Sequence, residues 1–507
     1  MGVSSPVLAE RSTCHDRYTD CTLVSLLVEA PTAARSPPAP RDLPTHWRDQ
    51  ALVSRWAALS PPAFRLLDLL GPLHWAEFPE RNLIRNWGHP TLPYAALAAA
   101  WLIQLNEGLV SMSLLRRYLV EHPLLIWLLG FPLAGAPEPP WGFDPQASLP
   151  TARHLTHLLR SLPNAPLQFL LADSVALICA ELRACGVTNV GECVSLDTKH
   201  ILAWVKENNP KDYVSDRYDK TKQPAGDPDC RLGCKRRRNQ STGPRPTPPT
   251  PTTNPLPAST VKAGEFYWGY GTGVVVTKVP TWGEFVIAEW TQPFDCGDVT
   301  YFFPLMAQTE QRLGFRPRWA TFDAAFDAFY VYEYFYRADD PAAFAAVPFS
   351  ERGGYKAGGR QFTPEGLPLC QAGLPMPLKF TYTDRTSAII EHERAKYTCP
   401  LRAPDAPAAA VCPINHKNWA KQGCTAMMPT SIGARIRYQL DREGPAYKGV
   451  YKQRTATERI NSQAVALGIE RPHLRNQQAI TNRNTLIYIL INLRFLQRIR
   501  QRLPESP

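Results

Sequence analysis

Tyr451-Lys-Gln-Arg454-Thr-Ala-Thr-Glu458-Arg459-Ile-Asn-Ser-Gln-Ala-Val465 carries a phenol, a guanidinium and a carboxylate at steps of three and four residues. That is the spacing of one helix face, so the three groups are expected to point the same way from one rigid element. A helix that needed only a core face would show Leu, Ile or Val at those positions. A solvated helix face can produce the same trio by chance, and from these residues alone both readings stand.

Two upstream segments set further carboxylates in apolar surroundings. Val194-Ser-Leu-Asp197-Thr-Lys199-His-Ile-Leu-Ala-Trp204 reads as a strand interrupted by Asp197. A carboxylate inside a strand core is costly unless paired or metal-bound. The plainer reading is an Asp making a turn at a strand end. Lys199 stands two residues on, on the same strand face. Arg318-Trp-Ala-Thr-Phe-Asp323 is a short apolar run reaching a carboxylate, with a helix expected from about Ala325. Asp327 competes with Asp323, but its place reads as a charge in the first helical turn.

The pattern Tyr, two residues, Arg, three residues, Glu resembles the signature of the insertion-sequence DDE transposases. In that family it lies on the helix bearing the third catalytic carboxylate. The family's signature closes with a Lys seven residues after the Glu, where this chain has Val465. The resemblance implies an α/β fold: a ribonuclease H-like mixed sheet with flanking helices, preceded by an all-α N-terminal domain and interrupted by a Cys-containing insertion. It implies that Asp197, Asp323 and Glu458 are the catalytic carboxylates and ligate two Mg²⁺ (or Mn²⁺) ions. Tyr451, Arg454, Lys199 and Arg459 would then face DNA. Hard oxygen donors suit Mg²⁺, and two ions about 4 Å apart serve in-line displacement at phosphorus.

The activity so implied is cleavage at the ends of an insertion element and joining of those ends to target DNA. Its partners would be double-stranded DNA (terminal inverted repeats and target) and a second copy of the chain in the DNA complex. Alternatives are a related metal-dependent nuclease, or a decayed relative that only binds DNA.

The rest of the chain is read around this core. Residues 1–40 are rich in Ala, Pro and Ser and are expected to be poorly ordered; Cys14, His15 and Cys21 there read as a chance trio. Residues 41–188 are expected to form a helical domain for end binding or assembly. Within it, the Ala-rich run from Leu92 reads as a buried helix and Ser111–Leu119 as an amphipathic one with Arg116 and Arg117 outward. His154 and His157 read as helix-surface polarity. Residues 189–350 are expected to be the first part of the catalytic domain, with strands at Phe266–Thr277 and Phe285–Thr291 beside that of Asp197 and a Pro/Thr-rich insertion at 239–262. A helix is expected from about Val299 to Leu313, and a strand at Phe344–Phe349. Asp227-Pro-Asp229-Cys-Arg231 is similar to a segment found between the first two strands in that transposase family, and its basic run, ending at Arg238, either contacts phosphates or keeps a loop soluble. Residues 351–435 would be an insertion subdomain. In it Cys370, Cys399, Cys412 and Cys424 read as free thiols by default, with a structural zinc the alternative. Residues 436–507 would complete the catalytic domain with the Glu helix and a basic amphipathic helix from Asn484 to Arg502.

Charge and length agree with a polyanion partner without requiring one. The chain has 507 residues and a net charge of +11, and the segment Arg435–Arg502 holds fourteen basic residues against four acidic ones. No signal pattern and no run of 18 apolar residues is read, so no membrane span is expected. With twelve cysteines and no signal, a reduced cytoplasmic, nucleoid-associated setting is the expectation.

Overall fold

A computed structural model describes residues 61–84, 91–135, 143–235, 265–350, 360–385, 389–404, 406–407 and 409–502. The readings for residues 1–40 and for the tract at 239–262 lie outside them. The chain is mixed α/β, with a curled mixed sheet and several helices. In order, the first elements are α1 (Pro61–Leu70), α2 (Tyr94–Asn106), α3 (Met112–Glu121), α4 (Pro123–Leu128), α5 (Ala152–Ser161) and α6 (Ala165–Ala184). Then come β1 (Cys193–Leu202), β2 (Arg231–Cys234), β3 (Phe266–Val279), β4 (Gly283–Pro293), α7 (Phe302–Leu313), β5 (Trp319–Thr321), α8 (Phe329–Phe335) and β6 (Phe344–Ala346). The remainder is β7 (Leu378–Asp384), β8 (His392–Thr398), β9 (Thr425–Pro429), α9 (Ile432–Gln439), α10 (Pro445–Tyr451), α11 (Thr455–Ala466) and α12 (Gln477–Arg502). Two compact units emerge. The larger takes the described residues up to Tyr301, then Gln308–Pro317 and Lys452 onward; the smaller takes Phe302–Ala307 and Arg318–Tyr451.

In the larger unit β3 pairs antiparallel with β1, β2 and β4. The expected strand at Phe285–Thr291 is therefore a neighbour of β3, with β3 between it and the Asp197 strand. The Gly-rich opening of β3 follows from close approach of neighbours. A side-chain carbon at Gly269 would lie 2.1 Å from the Ile201 carbonyl, and one at Gly271 2.5 Å from the Tyr301 hydroxyl.

The helices pack on α12, and here the sequence expectation needs correction. The terminal helix begins at Gln477 and most of it is buried, including Leu486–Leu493 without a break. A helix apolar nearly all round belongs in a core. Three of its arginines bond to protein: Arg494 donates to Asn106 Oδ1 at 3.0 Å, Arg500 pairs with Glu181 at 2.8 Å, and Arg502 donates to the Thr281 carbonyl at 3.0 Å. The polar residues of its buried face are the fold's fasteners. Asn492 donates to the Val286 carbonyl and accepts from the Val286 N–H, both at 2.8 Å, so one side-chain amide satisfies an edge residue of β4 as a further strand would. Asn482 donates to the Leu159 and Leu162 carbonyls. α6 is long and apolar enough to cross a membrane by length and composition alone, and its buried side packs on α12.

A carboxylate sits inside this core. Glu289 of β4 is fully buried, accepting from Thr485 at 2.5 Å and from Gln168 Nε2 at 2.6 Å. The other end of the Gln168 amide accepts from Arg312 at 2.6 Å, and Arg312 also donates to the Ile287 carbonyl. Burial pushes the Glu289 carboxyl up and the Arg312 guanidinium down, to about 10. The sequence reading passed over Glu289, since one acid in an apolar strand gives no sign of its buried partners.

The smaller unit has a parallel β5–β6 pair and an antiparallel sheet in the order β7–β8–β9. The helix expected from Ala325 is a 3₁₀ turn at Ala324–Phe326 followed by α8. Asp327 is not a first-turn charge. It is wholly buried, receives Arg437 at 2.8 and 2.5 Å, Tyr332 at 2.7 Å and the Ser350 N–H at 2.7 Å, and so anchors α9 and the segment after β6.

Replacing Glu289 by Ala leaves Arg312 buried without its counter-charge. Unfolding stability is expected to fall by about 3–5 kcal/mol. Urea denaturation followed by circular dichroism checks this, with the double variant Glu289→Ala/Arg312→Met expected to recover part of the loss.

Candidate active site

Asp197 lies at the middle of β1, opposite Val274 of β3. Its carboxylate is only 17% exposed. Asn461 Nδ2 donates to Asp197 Oδ2 at 3.3 Å, and Arg454 Nη2 lies 3.8 Å from Oδ1. The same guanidinium reaches Glu458 Oε1 at 3.5 Å through Nη1. Arg454 therefore stands between a strand carboxylate and a helix carboxylate. Both contacts are longer than the roughly 2.7–2.9 Å of a strong charge-assisted hydrogen bond.

The backbone explains how these groups meet, and it corrects the expectation of one continuous helix. α10 ends at Tyr451, Lys452–Arg454 is a 3₁₀ turn, and α11 starts at Thr455. The Gln453 carbonyl accepts from the Ser195 hydroxyl at 3.0 Å and the Arg454 carbonyl from the Thr457 hydroxyl at 2.7 Å. The first bond pins the turn to β1, two residues from Asp197. Arg454, Glu458 and Asn461 then follow at steps of four and three, on one face. The opposite face, with Ala456, Ile460 and Ala464, is buried. Val465 is half-buried against the apolar core.

The remaining site residues fall as follows. Lys199 is mostly buried and paired with Glu470. The Glu470 carbonyl also accepts from Leu202 N–H at 2.8 Å, so this pair clamps the segment after α11 to the end of β1. Arg459 binds both oxygens of Glu284 at 2.9 Å, which raises its already high pKa. Asp323 and Tyr451 belong to the smaller unit. Asp323 follows β5 and accepts from the Ala325 N–H at 2.8 Å, capping the 3₁₀ turn, while Tyr451 stacks on Tyr447 at 5.7 Å. The Asp-Pro-Asp passage is structural: buried Asp227 accepts from Tyr270 at 2.7 Å, and Asp229 accepts from the Gln477 N–H at the start of α12.

Sequence reasoning missed Asn461, Glu470 and Ser195. Asn461 was visible, three residues beyond Glu458 on the same helical face; the partners of Ser195 and Glu470 are set by tertiary packing.

Among the described residues no three His, Cys, Asp or Glu side chains gather as a ready metal cage. Asp197 and Glu458 share the Arg454 guanidinium, and Asn461, which donates to Asp197, has an Oδ1 that is buried and without a hydrogen-bond partner. Carboxylate and amide oxygens of this kind fit a hard ion such as Mg²⁺. In the smaller unit, the pairing of Thr398 with Thr425 sets Cys399 and Cys424 opposite one another, just beyond β8 and before β9. Burial, with Cys399 alongside, pushes the Cys424 thiol up to about 12. Cys412 accepts from the His416 N–H at 3.4 Å.

No protein-family model matches this chain, and no curated protein matches it.

His200, on β1 beside Lys199, packs edge-on to Phe294 at 4.6 Å. Burial, then the charges of Lys235 and Lys199, lower its pKa from 6.5 to about 4. The unfolded chain then binds the proton more readily. The stabilising effect of the neutral ring is full above pH 6.5 and is lost as pH falls towards 4, by up to roughly 3 kcal/mol. Urea midpoints between pH 7 and pH 4 are expected to fall for the wild type and to fall less for His200→Phe.

Proposed function

We propose that this chain is a metal-dependent enzyme of the DDE transposase type, with a ribonuclease H-like core, that cuts DNA at the ends of an element and joins them to target DNA. The observation that carries the reading is Arg454 set between Asp197 of β1 and Glu458 of α11. Two acids far apart in sequence are brought to one cation on a sheet-and-helix frame, with the orphaned Asn461 oxygen beside them. That arrangement keeps like charges close while a cation is present.

Asp197 and Glu458 would hold Mg²⁺ or Mn²⁺, and Asp323 enters as the third carboxylate on the sequence resemblance. A metal bound there would activate the attacking oxygen and stabilise the leaving one. Asn461 fixes the orientation of the Asp197 carboxylate. Arg454 has the planar donor fork that matches a phosphodiester, and in the DNA complex it exchanges its long carboxylate contacts for a phosphate. Lys199 and Arg459 are engaged by Glu470 and Glu284, so in this reading they brace the site and Arg454 carries the DNA contact. DNA supplies the polyanion that the net charge of +11 favours.

The test is cleavage of a labelled duplex taken from the DNA flanking the gene, with Mg²⁺ or Mn²⁺. Asp197→Ala, Asp323→Ala and Glu458→Gln are each expected to lower cleavage by at least about 100-fold while still binding the duplex. Metal-dependent nicking retained in Glu458→Gln would sink the assignment.

A further inference from the structure

β1 does not end at the carboxylate site. Beyond Leu202 it runs into Ala203-Trp204-Val205-Lys206, and this segment forms one wall of a cleft of about 350 Å³. The other wall is Arg471-Pro-His473 and Arg475, the segment that follows α11. Both walls are therefore continuations of the elements that carry Asp197 and Glu458. The Lys199–Glu470 pair and the Leu202–Glu470 backbone bond hold them together.

The lining has a distinct chemistry. Trp204 is 49% exposed, an unusual state for the largest apolar side chain. The His473 ring lies 5.4 Å from it and inclined by 31°, and the Arg475 guanidinium lies 4.9 Å from its ring centroid. Arg475 Nε also donates to the Trp204 carbonyl at 3.3 Å, which fixes the guanidinium beside the ring. Lys206 and Arg471 add cationic groups to the rim. The one acid of the lining, Asp212, accepts from Asn209 at 3.0 Å. A flat aromatic surface framed by cations takes a ligand that is itself flat and anionic. A nucleotide of a single DNA strand has that form: its base stacks and its phosphate pairs with Lys or Arg.

We infer that the Trp204 cleft binds an unpaired nucleotide of the DNA strand being processed. This rests on the DNA-processing reading above and extends it to a second contact. Five residues of extended chain separate Asp197 from Leu202, which places the cleft about 16 Å along β1 from the carboxylate. Trp204 holds the base, while Arg475 and its cationic neighbours hold the backbone.

The experiment is fluorescence anisotropy of a labelled single-stranded DNA of about ten nucleotides, with the full chain, over a salt series. Trp204→Ala is expected to weaken binding by about 5- to 150-fold, the loss of one stacked base; Trp204→Phe keeps most of the affinity. Arg475→Gln is expected to reduce the slope of log affinity on log salt by about 0.7, the loss of one phosphate contact. Affinity unchanged in Trp204→Ala overturns the cleft, and so does equal competition by inorganic phosphate, since a phosphate-only site has no use for the indole. Tighter binding of an RNA strand of the same sequence overturns the DNA assignment. Cleavage that depends on Asp197, with Trp204→Ala binding normally, removes the cleft and leaves the enzyme. Binding that depends on Trp204 without any cleavage sustains the cleft and removes the enzyme.

Discussion

The larger unit depends on holding a carboxyl group where water does not reach. Glu289 lies in a strand whose buried residues are mostly apolar, and an unpaired carboxylate there would be prohibitive. It is tolerated because Gln168 of α6 and Thr485 of α12 donate to it, while Arg312 of α7 reaches it through the other end of the Gln168 amide. None of these contacts forms until sheet and helices are in register. The buried carboxyl and its partners thus form one polar network that is satisfied only in this packing of the apolar faces.

The same economy recurs around the candidate site. β1 brings Asp197 to mid-sheet, and its neighbours are all committed: Ser195 to the turn before α11, Lys199 to Glu470, Thr198 to Asp298 at 3.1 Å. A strand so clamped holds its carboxylate still, as the proposed phosphoryl-transfer chemistry would require. Arg454 is positioned by the backbone turn pinned to Ser195, so the cation's place between the two acids is set before any substrate arrives.

Much of this was legible in the sequence where one period governs one element. The alternation around Asp197, the Ala-rich run of α2 and the spacing of Glu458 and Arg454 each read correctly as strand, buried helix and shared face. The failures share a cause. The turn at Lys452–Arg454 breaks a pattern that looks continuous, because Ser195, remote in sequence, takes a carbonyl from it. Asp327 looked like a helix-start charge because Arg437 and Ser350, its partners, lie far downstream. In α12 the sequence read as a basic amphipathic helix from Asn484, whereas the helix begins at Gln477 and its unbroken run Leu486–Leu493 is buried on more than one face, with Asn484, Tyr488 and Asn492 at steps of four. The counts of basic residues said nothing of which ones are already paired.

The place of α12 in the chain has a temporal consequence. It is the last element described, yet α1, α2, α5, α6, β4 and α11 all pack on it. At translation rates of about 5–20 residues per second, α11 emerges only seconds before this helix, but the partners from α1 to β4 emerge roughly ten seconds to more than a minute before it. Until then the edge of β4 at Val286 has no Asn492 to cover it, and the apolar faces of α2 and α6 lack their partner. The nascent chain therefore spends that interval as a client for whatever holds exposed strands and sticky helices apart, and the larger unit closes in a late step rather than domain by domain from its beginning.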